Sequence, residues 1–558
     1  MLRLVECVPN FSEGRDMDIV NNISAEISST AEVKLLDVDP GRDTNRTVVT
    51  FIGSPEGVIE AAFNAIRKAA ELIDMSKHEG AHARMGATDV CPLVPVSGVT
   101  MDDCVELARR LGKRVADELK IPVYLYENAA TVPERRKLPT IRKGEYEGLA
   151  DKLKDPQWKP DFGEPVFNPR SGATVVGARE FLIAYNINLN TTDARLAKEI
   201  AFNIRETGKA KRDKDGRIVR DENGRALRQP GTLKACNATG WYLDDFGIAQ
   251  VTMNLINYKV TPPHVAFEEV VREADRLGLR VTGSELVGLI PKAAVLEAGR
   301  YFLQKQGKSA GVPEEVLIET AIRSMGFREI AEFDPRKKII EYQFGRNEDS
   351  LVSKDIQSFM NELSVDSPAP GGGSAAALCG ALAASLASMV ANLTFGKKEY
   401  RDSQDEMERI AVRAQELKDG FVAAIDRDTA AFNRVMAAFR LRKKTDEDKA
   451  RRQEAIQEAT KQATLVPLEV LETSVEALKL ALRVAEKGLR TSVSDAGVAG
   501  VAGRAAAIGA YYNVRINLAS ITDEAFVGKV RNQATTYRDE ALKLADRIAE
   551  AVGQELEK

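Results

Sequence analysis

His78, Glu79 and His82 spell His-Glu-x-x-His within Met75 to Val90, and the two histidines are two of only three in the chain. On an unbroken helix, histidines four apart share one face, bind zinc together and leave the glutamate to activate a bound water. The flanks disagree with that chemistry. The preceding amphipathic helix is expected from about Glu56 to Met75, Gly80 falls between the histidines, and Gly86 and Pro92 follow. The remaining histidine, His264, lies in a different expected subdomain, which leaves carboxylates such as Glu106 as poor third ligands, so no metal is expected. A loop exposing a ring that titrates near neutrality suits a general base instead, with Arg84 beside it to hold an anionic substrate.

The elements that must hold this loop read as α/β. Short β-prone runs alternate with helical patterns from "RLVECVP" to "IPVYLYEN". After a Pro-, Lys- and Glu-rich connection from Asn128 to Ser171, the pattern restarts with "EFLIAYNINL" and the helix "TDARLAKEIAFNIRE". "CPLVPVSGVTMDDCVELARRLG" and "VGLIPKAAVLEAGRYF" both pass from a strand through Val-Pro or Ile-Pro into a helix, which predicts two duplicated, split βαβ-like subdomains. "KRDKDGRIVRDENGRALRQPG", with Asp-Gly and Asn-Gly turns, predicts a protruding surface hairpin over 209–230. Beyond "FDPRKKIIEYQFGRNEDS" the β signals stop, and an all-α helical bundle is expected to Lys558. The expected organisation is multidomain: α/β subdomains over 1–180 and 181–330, a linker over 331–350 and the bundle over 351–558.

Composition narrows the partners. A chain of 558 residues suggests three or four units at about 150 residues each. A net charge of −4 gives no basic field for nucleic acid, so an anion site must be local. Five scattered cysteines without a Cys-x-x-Cys pair suit reduced thiols in the cytoplasm, and "MLRLVECVPNFSEGR" lacks the pattern of a secretory signal. Ser367 to Gly396 carries no charge, and Leu378, Leu382, Leu386, Val390 and Leu393 form one stripe. A tightly packed soluble helix is expected there, not a membrane span.

Longer stretches carry a resemblance. "LVECVPNFSEGR", "LLDVDPGRDTNRTVVTFIG", "LIDMSKHEGAHARMGATDVCP" and "WKPDFGEPVFNPRSGATVVGAREFLIAYNINL" resemble glutamate formiminotransferases. "SPAPGGGSAAA", "IDRDTAAF", "VPLEVLE" and "AYYNVRINL" resemble formimidoyltetrahydrofolate cyclodeaminases. Together, and in this order, they resemble the bifunctional formiminotransferase-cyclodeaminase family.

That resemblance implies two successive reactions of histidine degradation. The formimino group moves from N-formiminoglutamate to N5 of tetrahydrofolate, a co-substrate that polyglutamylation can extend, and ring closure then gives 5,10-methenyltetrahydrofolate and ammonia. No metal or redox cofactor is implied. His82 takes the role of transferase base, with His78 supporting it. The folate segment falls on Gly163, Glu164, Pro165, Val166, Phe167, Asn168, Pro169, Arg170, Ser171 and Gly172, where Phe167 could stack on a pterin and Arg170 pair with a carboxylate.

In the bundle the resemblance gives Asp428 the acid-base role. Asp426, two residues away, points elsewhere on a helix. Pro370 to Ser374 opens a long helix whose free N–H groups suit an anion; without a P-loop lysine, a folate carboxylate is the expected guest at Gly371 and Ser374. Asp495 is a further substrate-binding candidate, or a turn cap. The family implies a homo-oligomer built from dimers, an octamer among the sizes it allows. A transferase of formimino or formyl groups alone, with the bundle serving assembly, stays open as the alternative, as does a bundle that binds cytoskeleton or membranes.

Overall fold

The computed structural model describes residues 3–42, 44–80, 83–244, 246–343 and 350–558. The chain forms two compact units: Met1–Ala298 with Ile322–Gly345, and Gly299–Ala321 with Arg346–Lys558.

In the first unit, β1 (Leu4–Cys7), β2 (Asn10–Phe11), α1 (Met17–Ser28), β3 (Val33–Gly41), β4 (Arg46–Gly53), α2 (Pro55–Leu72), β5 (Thr88–Ser97), α3 (Met101–Leu119) and β6 (Val123–Glu127) come first. The short helices α4 (Leu138–Arg142) and α5 (Leu149–Lys152) precede β7 (Thr174–Ala178). The strands make one mixed sheet: β4 pairs antiparallel with β3 on one side and with β1 and β2 on the other, β1 and β2 both reach β5, and β5, β7 and β6 run parallel. Local chemistry fixes the helix starts. Asp16 caps α1, Ser54 caps α2 ahead of Pro55, and Thr100 with Asp103 forms a capping box on α3. The helices bury Ile23, Ile27, Phe63, Ile66, Leu107 and Leu111 in one core with Val5, Phe51 and Leu93 of the sheet.

The connection expected from Asn128 to Ser171 is packed. Ile141, Leu149 and Leu153 cluster with Tyr124 and Val175 of β6 and β7.

The second sheet follows from β8 (Ile183–Leu189), α6 (Ala194–Ile204), β9 (Lys209–Ala210), β10 (Arg228–Gln229), β11 (Cys236–Leu243), β12 (Ile248–Leu255), α7 (Pro263–Arg276) and β13 (Val281–Val287). It is antiparallel, ordered β11-β12-β8-β13. β9 and β10 pair apart from it, and the stretch between them is almost wholly exposed, with Gly216 and Gly224 at positive φ in the Asp-Gly and Asn-Gly turns.

The chain leaves the first unit within α8 (Lys292–Lys305) and returns within α9 (Glu314–Met325). A boundary near 330 therefore assigns 299–321 differently from the structure, which seats this stretch among the helices of the second unit. The expected linker holds α10 (Pro335–Lys338) and α11 (Ile340–Gln343); its residues 344–349 lie outside those described.

The second unit contains α12 (Ile356–Leu363), α13 (Gly372–Thr394), α14 (Gln404–Phe439), α15 (Asp446–Lys487), α16 (Val493–Leu518) and α17 (Glu524–Leu556). Small residues let the helices approach closely: a Cβ on Gly380 would lie 2.4 Å from the Phe421 ring, and one on Gly503 2.7 Å from Leu478. α13 is long and apolar enough to cross a membrane, yet most of that stretch is buried within the protein. Of the apolar stripe, Val390 is buried and Leu378 and Leu386 pack against the core. Ala377, Ala384, Ala387 and Ala391 face the core, whereas Leu382 and Leu393 are 51% and 43% exposed. Gly311 is seated in the same unit, its carbonyl accepting from Asn392 Nδ2 at 2.6 Å, while the Ala310 N–H donates to Glu408 at 2.9 Å.

Candidate functional sites

The histidine loop begins where α2 stops. Asp74 caps a single 3₁₀ turn, Met75–Lys77, after which His78 is extended at φ −78° and ψ 128°. The helical face that a zinc pair requires is therefore absent at His78. His82, the expected base, lies outside the described residues.

His78 is held from both sides. Its Nε2 is 2.9 Å from the Asn45 carbonyl, and Arg84 Nε donates to Nδ1 at 3.2 Å. Both ring nitrogens of His78 are therefore engaged, one by a backbone carbonyl and one by the guanidinium. Asn45, at φ 46° in the turn between β3 and β4, also donates to the Glu79 carbonyl and accepts from the Gly14 N–H. Gly80 has to be bare here, since a Cβ would lie 2.4 Å from the Thr44 carbonyl.

Arg84 is only 7% exposed. Its guanidinium meets Glu147 twice, at 3.0 and 2.6 Å, and Glu145 at 3.0 Å. Burial opposes its charge, but the two carboxylates outweigh burial and hold it protonated, while Arg84 draws the Glu147 carboxyl below its ordinary range. These side chains, with His78, Glu79, Gly80 and Gly144, line an open pocket of about 460 Å³.

The expected folate segment adjoins this loop. Met75 N–H donates to the Arg170 carbonyl, Ala87 N–H to that of Ser171, and Ala173 N–H to that of Met85. Gly172, at φ 66°, has no room for a Cβ, which would lie 2.1 Å from the Met85 carbonyl. Gly163, Glu164, Phe167, Asn168 and Pro169 line a separate pocket of about 560 Å³, with Val166 66% exposed at its rim. The Phe167 ring is 5.5 Å from that of Tyr146, whose hydroxyl donates to the Pro169 carbonyl. Arg170 donates to the carbonyls of Ala70 and Glu71, closing the C-terminal end of α2.

A third cavity of about 640 Å³ lies in the first unit between strands of both its sheets, with Glu6, Asp37, Arg179, Lys337 and Lys338 on its walls. Burial pushes the Glu6 carboxyl up to about 7, opposed by Arg179.

In the helical unit, Asp428 of α14 stands over the first turn of α13. Ser374 Oγ donates to Asp428 Oδ2 at 3.1 Å and lies equally close to the Ile425 carbonyl. Burial raises the Asp428 pKa, and hydrogen bonds from the Ser374 side chain and backbone oppose the rise. A Cβ on Gly373 would lie 2.2 Å from Asp428 Oδ1, and one on Gly372 3.4 Å from Asn513 Nδ2. The glycine run therefore admits the protein's own carboxylate to the helix N-terminus, where a folate carboxylate was expected. Asp426 points away, accepting from Ser350 Oγ and the Leu351 N–H.

Gly371 is the N-cap of α13 and stands beside this pair. Asp495 does not. It lies in the first turn of α16, about 27 Å along that helix from Asn513 at 1.5 Å per residue.

Asn45, Glu6, Glu145 and Glu147 were not expected from sequence. A turn asparagine in "DTNRT" and the Gly-bracketed "GEYEG" were the available signals, and neither names a partner more than 30 residues away.

Comparison with known proteins covers both units. Residues 4–179 match the N-terminal subdomain of the formiminotransferase domain, 184–345 the formiminotransferase domain, and 355–536 the formiminotransferase-cyclodeaminase family. The formimidoyltransferase-cyclodeaminase of Rattus norvegicus is 44% identical over 543 residues, 97% of each chain. A glutamate formimidoyltransferase of Thermoplasma acidophilum is 45% identical over 322 residues, 57% of this chain and 99% of its own. A methenyltetrahydrofolate cyclohydrolase of Methylorubrum extorquens is 40% identical over 200 residues, 36% of this chain and 96% of its own.

Proposed function

The chain belongs to the formiminotransferase-cyclodeaminase family, and from that premise we propose how its residues divide the two reactions. It transfers the formimino group of N-formiminoglutamate to N5 of tetrahydrofolate, then cyclises 5-formiminotetrahydrofolate to 5,10-methenyltetrahydrofolate with release of ammonia, a step in histidine degradation.

In the transfer, N5 attacks the amidine carbon of the donor. His82 takes the N5 proton and returns it to the glutamate nitrogen as the old C–N bond breaks, a role worth roughly 10² to 10⁴-fold. Both ring nitrogens of His78 are occupied by Asn45 and Arg84, which suits it to shaping the loop and not to moving the proton. Residues Gly163–Gly172 hold the pterin, with Phe167 as its apolar wall.

In the second step N10 attacks the formimino carbon and its proton passes to the formimino nitrogen, and the resulting amino group departs as ammonia once protonated again. Asp428 supplies that proton. The observation that carries this reading is the Asp428 carboxyl buried against Ser374 and the bare Gly373, where burial keeps a proton on the carboxyl to higher pH.

We further read the two sheets of the first unit as a duplication, since each contains β-α-β-β-α-β in which the first and last strands pair. The exposed Leu382, Leu393, Val501, Tyr512 and Ile516 of α13 and α16 give an apolar face for a second copy, in keeping with an oligomer built from dimers. Free thiols at all five cysteines suit a cytoplasmic enzyme, and a polyglutamate tail on folate would raise its effective concentration between sites.

The test supplies purified protein with tetrahydrofolate and N-formiminoglutamate and follows methenyltetrahydrofolate absorbance and ammonia together. Equal amounts of both are expected. Formiminotetrahydrofolate accumulating without ammonia would reduce the helical half to assembly, and a parallel run with N-formylglutamate separates formimino from formyl transfer.

A further inference from the structure

Five residues, Gly144 to Gly148, touch both halves of the transferase site. On one side Glu145 and Glu147 hold Arg84; on the other, the Tyr146 ring lies on Phe167 and its hydroxyl donates to the Pro169 carbonyl. The partners are unequal. The Arg84 side chain is 9% exposed, whereas those of Glu145 and Glu147 are 43% and 63% exposed. A buried cation requires an anionic partner, but a carboxylate facing water gives one up at little cost. The loop is also held in an uncommon shape, with Glu145 at φ 54° beside Gly144 at φ 92°.

We infer that Glu145 and Glu147 are stand-ins for the carboxylates of the amino-acid donor, which displaces them from Arg84 and through Tyr146 resets the folate segment. The inference rests on the donor being N-formiminoglutamate, a dicarboxylate whose two anionic groups match the two the loop presents. Glu147 and Glu145 thereby become residues that set donor affinity by competition, and Tyr146 the positioning residue that couples the donor to folate. Arg84 Nε stays on His78 throughout, so the exchange occurs at the two terminal nitrogens without freeing the imidazole.

Glu147→Gln tests the competition. With saturating tetrahydrofolate, the KM for N-formiminoglutamate should fall roughly three- to fivefold, the scale of a solvent-exposed ion pair, with kcat held within twofold. An unchanged or higher KM overturns the inference, because a merely structural Glu147 would weaken the site when removed. Tyr146→Phe, which keeps the ring and removes the hydroxyl, should leave each KM at subsaturating partner nearly unchanged but abolish the dependence of one on the other; persistence of that dependence overturns the coupling. Wild-type protein provides a measurement free of folding effects: N-formiminoglutamate without folate should alter amide exchange at 144–148, and exchange unchanged there while the donor turns over normally also defeats the inference. If wild-type protein does not turn over the donor at all, the assigned reaction has failed instead.

Discussion

Asp428 Oδ1 occupies the space that a side chain at position 373 would need, so the proposed acid of the helical unit and a glycine 55 residues before it in sequence are one structural feature. Gly373→Ala should therefore inactivate by displacement. Alanine is the better helix former by about 1 kcal/mol, so α13 itself should not melt. Deamination of supplied 5-formiminotetrahydrofolate should fall about 100-fold, the effect of misplacing a catalytic group by about an ångström, with transferase activity intact. Equal loss of both activities would count against the pairing.

Asp428→Asn keeps the size of the side chain and removes the proton. Deamination should drop roughly 10² to 10⁴-fold and 5-formiminotetrahydrofolate should accumulate from the first reaction. The sign of the pH dependence follows from burial. Because the folded carboxyl binds its proton more tightly than the unfolded one, the acid form is complete at low pH and is lost as pH rises through the raised pKa. Wild-type kcat for deamination should decline along that rise, and a kcat that increases there would assign Asp428 to base catalysis.

Asn45→Ala removes the side chain that ties Glu79 to Gly14. It leaves the Gly14 N–H with Glu13 Oε1 alone and takes its donor from the Glu79 carbonyl, a loss of about 1 kcal/mol. Transferase kcat should fall while deamination survives, measured with each substrate supplied separately.

Glu6 gives the first unit a pH-dependent stability. Its carboxyl is raised from 4.5 to about 7, so its contribution is fully present below the unfolded value and is lost as pH rises through about 7. At about 1.4 kcal/mol per pH unit that loss is at most ~3.5 kcal/mol. Glu6→Gln should therefore melt higher than wild type at pH 8 and close to it at pH 4. Trp158 and Trp241, the two tryptophans, both lie in this unit, so tryptophan emission isolates its transition. A wild-type transition independent of pH between these limits would disprove the assignment.

Much of the architecture was legible because its signals are local. Ser54-Pro55 and Thr100 with Asp103 announce α2 and α3, and Gly80 announces that no helix continues through His78, which is extended. Asp426 and Asp428, two apart, diverge on α14 as their spacing requires. What sequence hid was long-range. "PGGGS" reads as an open anion site because nothing in it reveals that Asp428 fills it. The stripe on α13 does not tell which of its members meet the core: Val390 is buried and Leu378 and Leu386 pack against it, while Leu382 and Leu393 are exposed and alanines and glycines fill the closest approaches. Arg84 reads as a free cation because its partners lie more than 60 residues away in a polar, Gly-bracketed loop.

The seating of residues 299–321 among the helices has a consequence for taking the chain apart. Gly311 and Ala310 are hydrogen-bonded to α13 and α14, so scission anywhere between residues 322 and 355 still leaves a tenon from the first fragment mortised into the second. A nicked protein should elute whole under native conditions and separate only in denaturant. Expressing the bundle from residue 351 onward would leave that socket empty, and a soluble half-enzyme requires a start before α8 ends.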